Sequence, residues 1–444
     1  MTVSRTICLG FLAVIAVGTL LLLLPFTHTD GSWGGLVTAL FTATSAVCVT
    51  GLIVVDTGSY FTHWGQMVIL TLIQVGGLGY MTATTFLLLL LGRRFGLRDK
   101  IALQQSLDTK GMSGVLSLVQ SIIAMTLIFE LSGAFALTAL FAPQVGFDRA
   151  VWFGVFHSIS AFNNAGFSLF SDSMVGYATS LPMNIVIPTL VIMGGIGYQV
   201  IMELYMWMRD RLTGCTECIV FPLNFKIVVS TTIALLVFGT LAFFLVEYHN
   251  PNTLGSANFG GQLLMAWFLS VIPRTAGFNS IDYGQMTTAG LFLTIAFMFV
   301  GASPGSTGGG LKTTTVRVLF SATKAVLQGK EEVLCYRRKI PTQLILKAVG
   351  VVFGSMTAVV ISTIFISISD PELDFIKILF EAVSAFATVG LSTGITASVS
   401  TTAKLILIGT MYVGRVGVLM LMSAILGDSE PSSVNYPEEN LLVG

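Results

Sequence analysis

The sequence contains few charged side chains. Lys and Arg number 22, Asp and Glu another 22, and together they make up 10% of the 444 residues, compared with roughly 25% in soluble domains. Hydrophobic residues account for 54% of the chain, and the mean hydropathy is +0.86. This is more apolar surface than a water-soluble globule can bury. The composition therefore excludes an ordinary soluble protein and predicts an integral membrane protein.

Other absences narrow the class of protein further. The two signs of charge balance, so the chain lacks the basic excess expected of a nucleic-acid-binding protein. The five cysteines form no pair in an external loop, which argues against a disulfide framework. Cys215 and Cys218 form a C-x-x-C, but the four histidines fall on the opposite side, so no transition-metal site is expected. The sequence shows no Ser-His-Asp or paired-carboxylate arrangement, and an enzyme is not expected.

Long apolar runs dominate the chain. A helix needs about 20 apolar residues to cross a bilayer, and eight such runs are present, the sixth of them interrupted: 7–24, 67–91, 116–141, 183–208, 225–246, 285–301, 343–368 and 402–426. Four shorter apolar stretches lie between successive pairs of runs: 35–48, 150–162, 260–271 and 375–387. The pattern predicts an all-α polytopic membrane protein with eight transmembrane helices and four re-entrant pore helices.

The basic residues predict the orientation in the membrane. Of the 22 Lys and Arg residues, 16 fall in one set of connections, whereas the other set holds Arg149, Lys377 and Lys404. Lys and Arg near span ends favour the cytoplasmic side. Both termini are therefore predicted to be cytoplasmic, and the pore helices are predicted to enter from outside.

Two series of glycine motifs divide the chain into four similar units. VTGL, NAGF, TAGF and TVGL place glycines at intervals of 115, 111 and 113 residues, namely Gly51, Gly166, Gly277 and Gly390. A second series, VGGLG, MGGIG, VGASPG and VGRVG, follows 25, 28, 24 and 24 residues later, at Gly76, Gly194, Gly301 and Gly414. Coincidental packing glycines would not keep this register, so a fourfold tandem repeat is predicted. Its units are residues 1–91, 92–208, 209–325 and 326–427, followed by a cytoplasmic tail, 428–444.

The first glycine series predicts a selectivity filter. Each short helix ends just before its motif, so the negative end of its dipole points to a common axis and favours a cation. Extended backbone at membrane depth can present carbonyl oxygens in place of an ion's hydration shell. The motifs lack carboxylates, which favours a monovalent ion. The predicted potassium-binding residues are Val49, Thr50, Gly51, Asn164, Ala165, Gly166, Thr275, Ala276, Gly277, Thr388, Val389 and Gly390.

Two further features predict a gate below this filter. The interrupted sixth run contains SPGSTGGG, which lacks the lysine of a phosphate-binding loop and is interpreted as an intramembrane gating loop. The predicted gate residues are Ser303, Pro304, Gly305, Ser306, Thr307, Gly308, Gly309, Gly310 and Lys312. Arg415, inside the eighth run, is predicted to be a cavity barrier that pairs with carbonyls of the loop. The alternatives are a packing kink for the loop and a salt bridge from Arg415 to Glu130 or Glu381.

Three residues are predicted to support the filter: Asn163, Arg274 and Glu381. Asn163 and Asn164 are expected to hydrogen-bond neighbouring filter backbone. Support and direct ion contact both stay open for this pair. Arg274 is expected to point away from the axis toward acidic groups.

These motifs together resemble a known family. FTATSAVCVTGL, FHSISAFNNAGFSLF, FLSVIPRTAGFNS and FEAVSAFATVGLSTG, with GASPGSTGGGLKT and the arginine of YVGRVG, resemble the superfamily of Trk, Ktr and HKT potassium transporters. The resemblance covers nearly the whole chain and is greatest to the membrane subunit of bacterial Ktr systems. It implies a pseudo-fourfold arrangement around one central pore and potassium uptake across the bacterial inner membrane.

The resemblance also implies partners and regulation. It implies stimulation by sodium, described for such systems as symport, and a homodimer embedded in membrane lipid. A cytoplasmic ring of nucleotide-binding RCK subunits is the implied regulator. No tightly bound cofactor is expected, because K+ is the transported ion and Na+ the activator. The alternatives are a sodium-preferring or unselective cation channel and a secondary transporter with broken helices, although all four units here run parallel rather than inverted.

Overall fold

The computed structural model describes residues 3–79, 115–213 and 221–427. The second half of the run predicted at 67–91, the C-x-x-C of Cys215 and Cys218, and the tail 428–444 lie outside these ranges. The helices of the first half are α1 (Val3–Leu22), α2 (Leu36–Val47), α3 (Thr57–Tyr60), α4 (His63–Leu78), α5 (Val115–Val145), α6 (Phe147–Phe162), α7 (Leu181–Ile196) and α8 (Tyr198–Leu212).

The second half continues with helices and one small hairpin. Its helices are α9 (Leu223–Glu247), α10 (Phe259–Val271), α11 (Thr288–Phe299), α12 (Thr313–Leu327), α13 (Thr342–Ser369), α14 (Phe375–Phe386), α15 (Thr401–Val416) and α16 (Val418–Leu426). Strands β1 (Leu334–Cys335) and β2 (Arg338–Lys339) pair antiparallel between α12 and α13. Single 3-10 turns occupy Pro25–Thr27, Val175–Tyr177 and Tyr283–Gln285.

Four helices are long and apolar enough to cross a membrane: Ser4–Leu22, Val119–Val145, Leu223–Glu247 and Thr342–Ser369. Two bent pairs, α7 with α8 and α15 with α16, raise the number in the described ranges to six if each pair is one span. Large apolar side chains face outward, such as Phe135 with 80% and Phe353 with 74% of its surface exposed. Outward apolar surface on long helices is what lipid contact requires. The chain is a polytopic helical membrane protein.

The two runs predicted as continuous, 183–208 and 402–426, are sharply bent. The helices on either side of Gly197 meet at 104°, and those on either side of Gly417 meet at 92°. Both glycines have left-handed backbone, with φ of +96° and +88°, which ends a helix and which most other residues resist. Gly79, at the end of α4, has φ of +79°. Each is the last glycine of its motif, so the second motif series marks a helix break.

The four predicted short helices are present as α2, α6, α10 and α14. Toward its C-terminus each is enclosed by longer helices, and Phe41, Phe156, Phe268 and Phe380 are buried. The two ends of the described chain also meet. Ser4 Oγ lies 3.1 Å from Ser423 Oγ, and Tyr412 donates to the Cys8 carbonyl at 2.9 Å. The first and last quarters of the chain are therefore neighbours.

Candidate ion pathway

The four glycine loops begin where the short helices end. α2, α6 and α14 each end four residues before Gly51, Gly166 and Gly390, and α10 ends six residues before Gly277. The loop backbone folds back onto its helix, as when Thr50 N donates to Ser45 O at 2.8 Å. Ala165 and Val389 make the same bond to Ser160 and Ser384, at 2.7 and 2.9 Å. The loops are completely buried around their glycines.

The four loops meet one another in a closed ring. A Cβ built on each glycine would strike the carbonyl oxygen that precedes the next glycine in chain order: Gly51 on Ala165 O, Gly166 on Ala276 O, Gly277 on Val389 O, and Gly390 on Thr50 O. The ring thus runs from the first unit to the fourth and back to the first. Only glycine permits this approach together with a φ between +69° and +93°. The predicted filter residues are brought together.

Strained backbone precedes each of these glycines. The residue two positions earlier has positive φ in all four loops: Val49 (+56°), Asn164 (+59°), Thr275 (+79°) and Thr388 (+50°). For a β-branched residue this is a clear outlier. Left-handed residues at these two positions prevent the loop from being an ordinary extended strand. Such strain persists where its surroundings enforce it, commonly at functional sites.

Serines six residues before the glycine support three of the loops. Ser45 Oγ accepts from Gly51 N and Ser384 Oγ accepts from Gly390 N, each at 3.1 Å. In the second loop Ser160 Oγ donates instead to Phe167 O at 2.8 Å. The third loop has Val271 at this position. These serines were not among the predicted support residues, although their shared position in three of the four motifs was a usable signal.

Asn163 and Asn164, adjacent in the second motif, have different environments. Asn163 Nδ2 donates to Gln74 Oε1 at 2.9 Å and to Glu130 Oε1 at 3.0 Å, away from the ring. The Asn164 amide lies 3.4 Å from Thr275 Oγ1, and its flipped orientation would donate to Ala161 O and Val191 O. Asn163 therefore links the second loop to α4 and α5, whereas Asn164 contacts the third loop.

Glu381, at the middle of α14, holds the outer part of the fourth loop. Its carboxylate accepts from Ser392 Oγ at 2.5 Å, Thr393 N at 3.1 Å and Thr396 Oγ1 at 2.8 Å. The residue is 1% exposed. Three donors around one buried carboxylate fix the position of the loop that follows Gly390.

Removing this carboxylate is expected to destabilise the fold. Glu381→Ala leaves Thr393 N and Ser392 Oγ without this acceptor and Thr396 Oγ1 with only Ser392 Oγ, which we expect to lower the free energy of unfolding by about 3 kcal/mol. The thermal midpoint of the detergent-solubilised protein measures the loss. Glu372→Ala, which removes an exposed carboxylate from the loop before α14, is the control and should leave the midpoint within error. Equal midpoints for the two variants would contradict the support role.

The segment 303–310 lies against one side of the ring, next to the third and fourth loops. A Cβ on Gly308 would strike Thr275 Oγ1, and one on Gly309 would strike Thr388 Oγ1. Two backbone bonds attach the segment to α7, from Ser303 N to Gly195 O at 3.0 Å and from Thr307 N to Gly194 O at 3.2 Å. The segment therefore sits directly beside the strained residues of the third and fourth loops.

Side-chain hydrogen bonds from hydroxyl groups and one lysine hold the segment in place. Lys312 Nζ donates to Gly308 O at 2.8 Å, and Ser303 Oγ lies 2.9 Å from Thr313 Oγ1. Ser306 Oγ donates to Ser303 O at 2.6 Å, and Thr307 Oγ1 reaches Phe162 O at 3.3 Å. These side-chain contacts, together with the two backbone bonds to α7, hold the segment in place.

The contacts of the second glycine series show how the third unit differs from the other three. A Cβ on Gly76, Gly194 or Gly414 would strike the last carbonyl of a short helix, at Val47, Phe162 or Phe386 respectively. On Gly301 it would strike Gly309 O instead. In the third unit the segment itself therefore occupies the place that a short helix takes in the others.

Arg415 joins the segment to the first unit. Its guanidinium donates through Nη1 to Thr307 O and through Nη2 to Gly76 O. The alternative partners are engaged elsewhere, Glu130 with Gln74 and Asn163, and Glu381 with its own loop. Arg415 thus places a positive charge beside the segment, paired with carbonyls rather than with a carboxylate.

The surroundings of the Arg274 side chain differ from the predicted ones. Its side chain is buried, but among the described residues no carboxylate oxygen lies within 4 Å of the guanidinium, and Nε has no hydrogen-bond partner. It lines a cavity of about 10 Å³ together with Ser303 and Thr313, a volume that suits roughly one water molecule. Arg274 therefore faces the segment 303–310 rather than acidic groups.

These features define a helical membrane protein whose four buried glycine loops meet at one point beside a non-helical segment. A family model described as cation transport protein, TrkH, matches residues 10–432. The chain belongs to the TrkH family of cation transport proteins. It is accordingly a member of a transport family and not of an enzyme family.

Individual relatives align with this chain over almost their whole length. The Ktr system potassium uptake protein B of Bacillus subtilis is 38% identical over 444 residues, 100% of this chain and 97% of the relative. The protein of the same name from Vibrio alginolyticus is 39% identical over 440 residues, 99% of this chain and 94% of the relative. The potassium/sodium uptake protein NtpJ of Enterococcus hirae is 37% identical over 445 residues, with 99% and 97% covered.

A solved structure shows the same fold. The potassium transporter TrkH from Vibrio parahaemolyticus superposes with a TM-score of 0.71, covering 94% of this chain and 84% of that one, at 19% sequence identity. At this identity the likeness concerns the fold alone.

Proposed function

We propose that this protein takes up potassium through a pore lined by the four glycine loops. The observation that carries the proposal is the closed ring of contacts from Gly51 through Gly166 and Gly277 to Gly390. Four short helices direct their C-terminal ends to this ring, and the negative ends of their dipoles stabilise a cation there. Carbonyl oxygens of the residues predicted as the filter then replace the hydration shell of the ion. Inward movement is driven by the membrane potential, about 2.3 kcal/mol per charge per 100 mV.

The arrangement in the membrane is part of the same proposal. Eight spans form four parallel units, residues 1–91, 92–208, 209–325 and 326–427, in pseudo-fourfold order around the pore. The matching helix breaks at Gly79, Gly197 and Gly417 support this division. The bias of Lys and Arg between the two sets of loops supports cytoplasmic termini in the inner membrane.

The segment 303–310 is proposed to be the gate, with Arg415 as a barrier beside it. Its position against Thr275 and Thr388 supports this role. The glycines within it allow a second backbone path at low steric cost. An ion leaving the filter toward the cytoplasm would meet the segment first.

Regulation is proposed to come from other chains. Two relatives are named as parts of a Ktr system, which supports a separate regulatory subunit, here a ring of nucleotide-binding RCK domains below a homodimer. Stimulation by sodium belongs to the same proposal. A second candidate function is a pore that also admits sodium, and it is favoured by the relative named potassium/sodium uptake protein.

The test is cation uptake by a potassium-uptake-deficient bacterium that expresses this chain with its soluble partner, with and without sodium. We expect growth at low potassium and accumulation of K+ in preference to Na+. Gly277→Ser should weaken both, because its side chain would meet Val389 O, 2.6 Å from the Cβ position. Sodium flux equal to or greater than potassium flux, with the protein present in the membrane, would select the second candidate. No flux of either ion would reject both.

Two bend glycines offer a matched test of the gate. Gly197→Ala and Gly417→Ala both place alanine in left-handed backbone, at a cost of about 1–2 kcal/mol. A Cβ at Gly197 would lie 2.5 Å from Pro304 O, whereas at Gly417 no atom of the described residues lies within 4 Å. We therefore expect Gly197→Ala to displace the gate and raise basal potassium flux severalfold, with Gly417→Ala near wild type. Similar fluxes from the two variants would mean that α7 does not hold the gate.

A further inference from the structure

A cavity of about 340 Å³ lies at the far end of α12, the helix that follows the proposed gate. Its lining includes Arg317, Phe320, Lys324, Lys330, Glu332 and Tyr336. The volume is in the range of small-ligand sites. None of the filter or gate residues lines this cavity, so the ion pathway does not account for it.

The cavity exists because the hairpin of β1 and β2 folds back on α12. Cys335 is buried with Ile227 and Ile340, and this cluster fixes the hairpin against α9 and α12. Gly329, in left-handed conformation with φ of +62°, ends the helix. The last carbonyls of α12 are occupied, because Lys324 O, Val326 O and Ala325 O accept from the amides of Gln328, Gly329 and Lys330. The negative end of the helix is thereby capped by amides of its own chain.

The charge of the lining favours an anion. Three cations, Arg317, Lys324 and Lys330, share the cavity with one carboxylate, Glu332. That carboxylate is already paired with Lys339 at 2.6 Å. Arg317 Nε is buried and has no hydrogen-bond partner within residues 3–79, 115–213 and 221–427, and the guanidinium carbon lies 5.9 Å from the centre of the Phe320 ring. A buried guanidinium nitrogen that lacks a partner in the described part of the chain, beside two further cations, fits a phosphate oxygen.

The surroundings indicate where the phosphate comes from. Phe320 is 61% exposed and Leu327 is 83% exposed beside the cationic lining. The positive-inside bias places this end of α12 at the cytoplasmic surface, where anionic lipid headgroups are abundant and basic pockets bind them. We propose that the cavity binds the phosphate group of an anionic phospholipid and thereby restrains α12.

The restraint would reach the gate through a short connection. α12 begins at Thr313, whose hydroxyl lies 2.9 Å from Ser303 Oγ, and Lys312 holds Gly308 O. Arg317 is one turn further along the same helix. The effect on flux rests on the proposed function, whereas binding of the phosphate does not.

The experiment compares two double variants of the full-length protein. Arg317→Gln with Lys324→Gln removes two cations from the cavity, and Lys226→Gln with Lys347→Gln removes two basic residues outside its lining. Native mass spectrometry measures retained phosphatidylglycerol against phosphatidylcholine. Potassium flux is measured in liposomes of each lipid, and pyrophosphate serves as the soluble phosphate probe. Lys330→Gln alone serves if the first double variant does not fold.

We expect the cavity variant to lose phosphatidylglycerol retention about tenfold or more, with the control unchanged and pyrophosphate without effect. Flux of wild type should depend on phosphatidylglycerol, and flux of the cavity variant should not. If pyrophosphate displaces the lipid only from protein with an intact cavity, the cavity is a phosphate site, but the source of the phosphate is soluble. The site would be overturned if the cavity variant and the control variant both retained phosphatidylglycerol, or if both lost it to the same extent. If lipid retention depends on the cavity but the protein shows no cation flux, the proposed function is rejected and the lipid site is not.

Discussion

Replacing Gly390 with alanine is expected to lower potassium uptake about tenfold or more, equivalent to about 1.4 kcal/mol of barrier. The new methyl group would strike Thr50 O and approach Gly51 Cα to 2.9 Å. It must therefore separate the fourth loop from the first and open the ring. Because carbonyl positions determine how well a dehydrated ion is coordinated, we also expect the preference for K+ over Na+ to fall. Uptake of both ions at equal amounts of membrane protein measures the effect.

The matched control lies four residues further along the same loop. Gly394 has φ of +91°, close to the +88° of Gly390, but its Cβ position has no neighbour within 4 Å in the part of the chain that the structure describes. Gly394→Ala therefore introduces the same backbone strain without the collision, and uptake should stay near wild type. If both variants lose uptake equally, strain rather than contact between loops is the cause. If Gly390→Ala retains full uptake and selectivity, the ring is not the filter.

The helical architecture could be predicted from sequence because it depends on properties local to each segment. Length and apolarity are sufficient to place α2, α10 and α14 within one residue of their predicted bounds, while α6 begins three residues earlier than predicted. The interrupted sixth run is found as a gap between Phe299 and Thr313. The nearly constant spacing of the glycine motifs indicated that the four loops would have similar surroundings.

What the sequence could not provide depends on neighbours distant in the chain. Val49, Thr275 and Thr388 adopt left-handed backbone against the preference of β-branched side chains, and such a conformation is imposed only by the packed loops around them. The bends at Gly197 and Gly417 were hidden because apolar composition continues through both. Arg274 was expected to point away from the axis toward acidic groups, whereas it lines a small cavity beside the segment 303–310.

Arg415→Gln is expected to raise potassium flux tenfold or so. At an effective dielectric constant of about 20, a like charge about 10 Å away costs a cation about 1.7 kcal/mol, somewhat more than tenfold in rate. The substitution removes that charge and also the bridge from the proposed gate at Thr307 O to Gly76 O. Both changes favour conduction. Flux into proteoliposomes that hold equal amounts of folded protein measures the increase.

Arg415→Lys separates the two contributions. Lysine keeps the charge, but a single ammonium group does not reproduce the two-armed geometry with which the guanidinium reaches both carbonyls. An increase for the glutamine variant alone would assign the barrier to the charge. An increase for both variants would assign it to the bridge that holds the gate closed. If the glutamine variant is folded and conducts less than wild type, Arg415 supports the open pathway, and its role as a barrier is wrong.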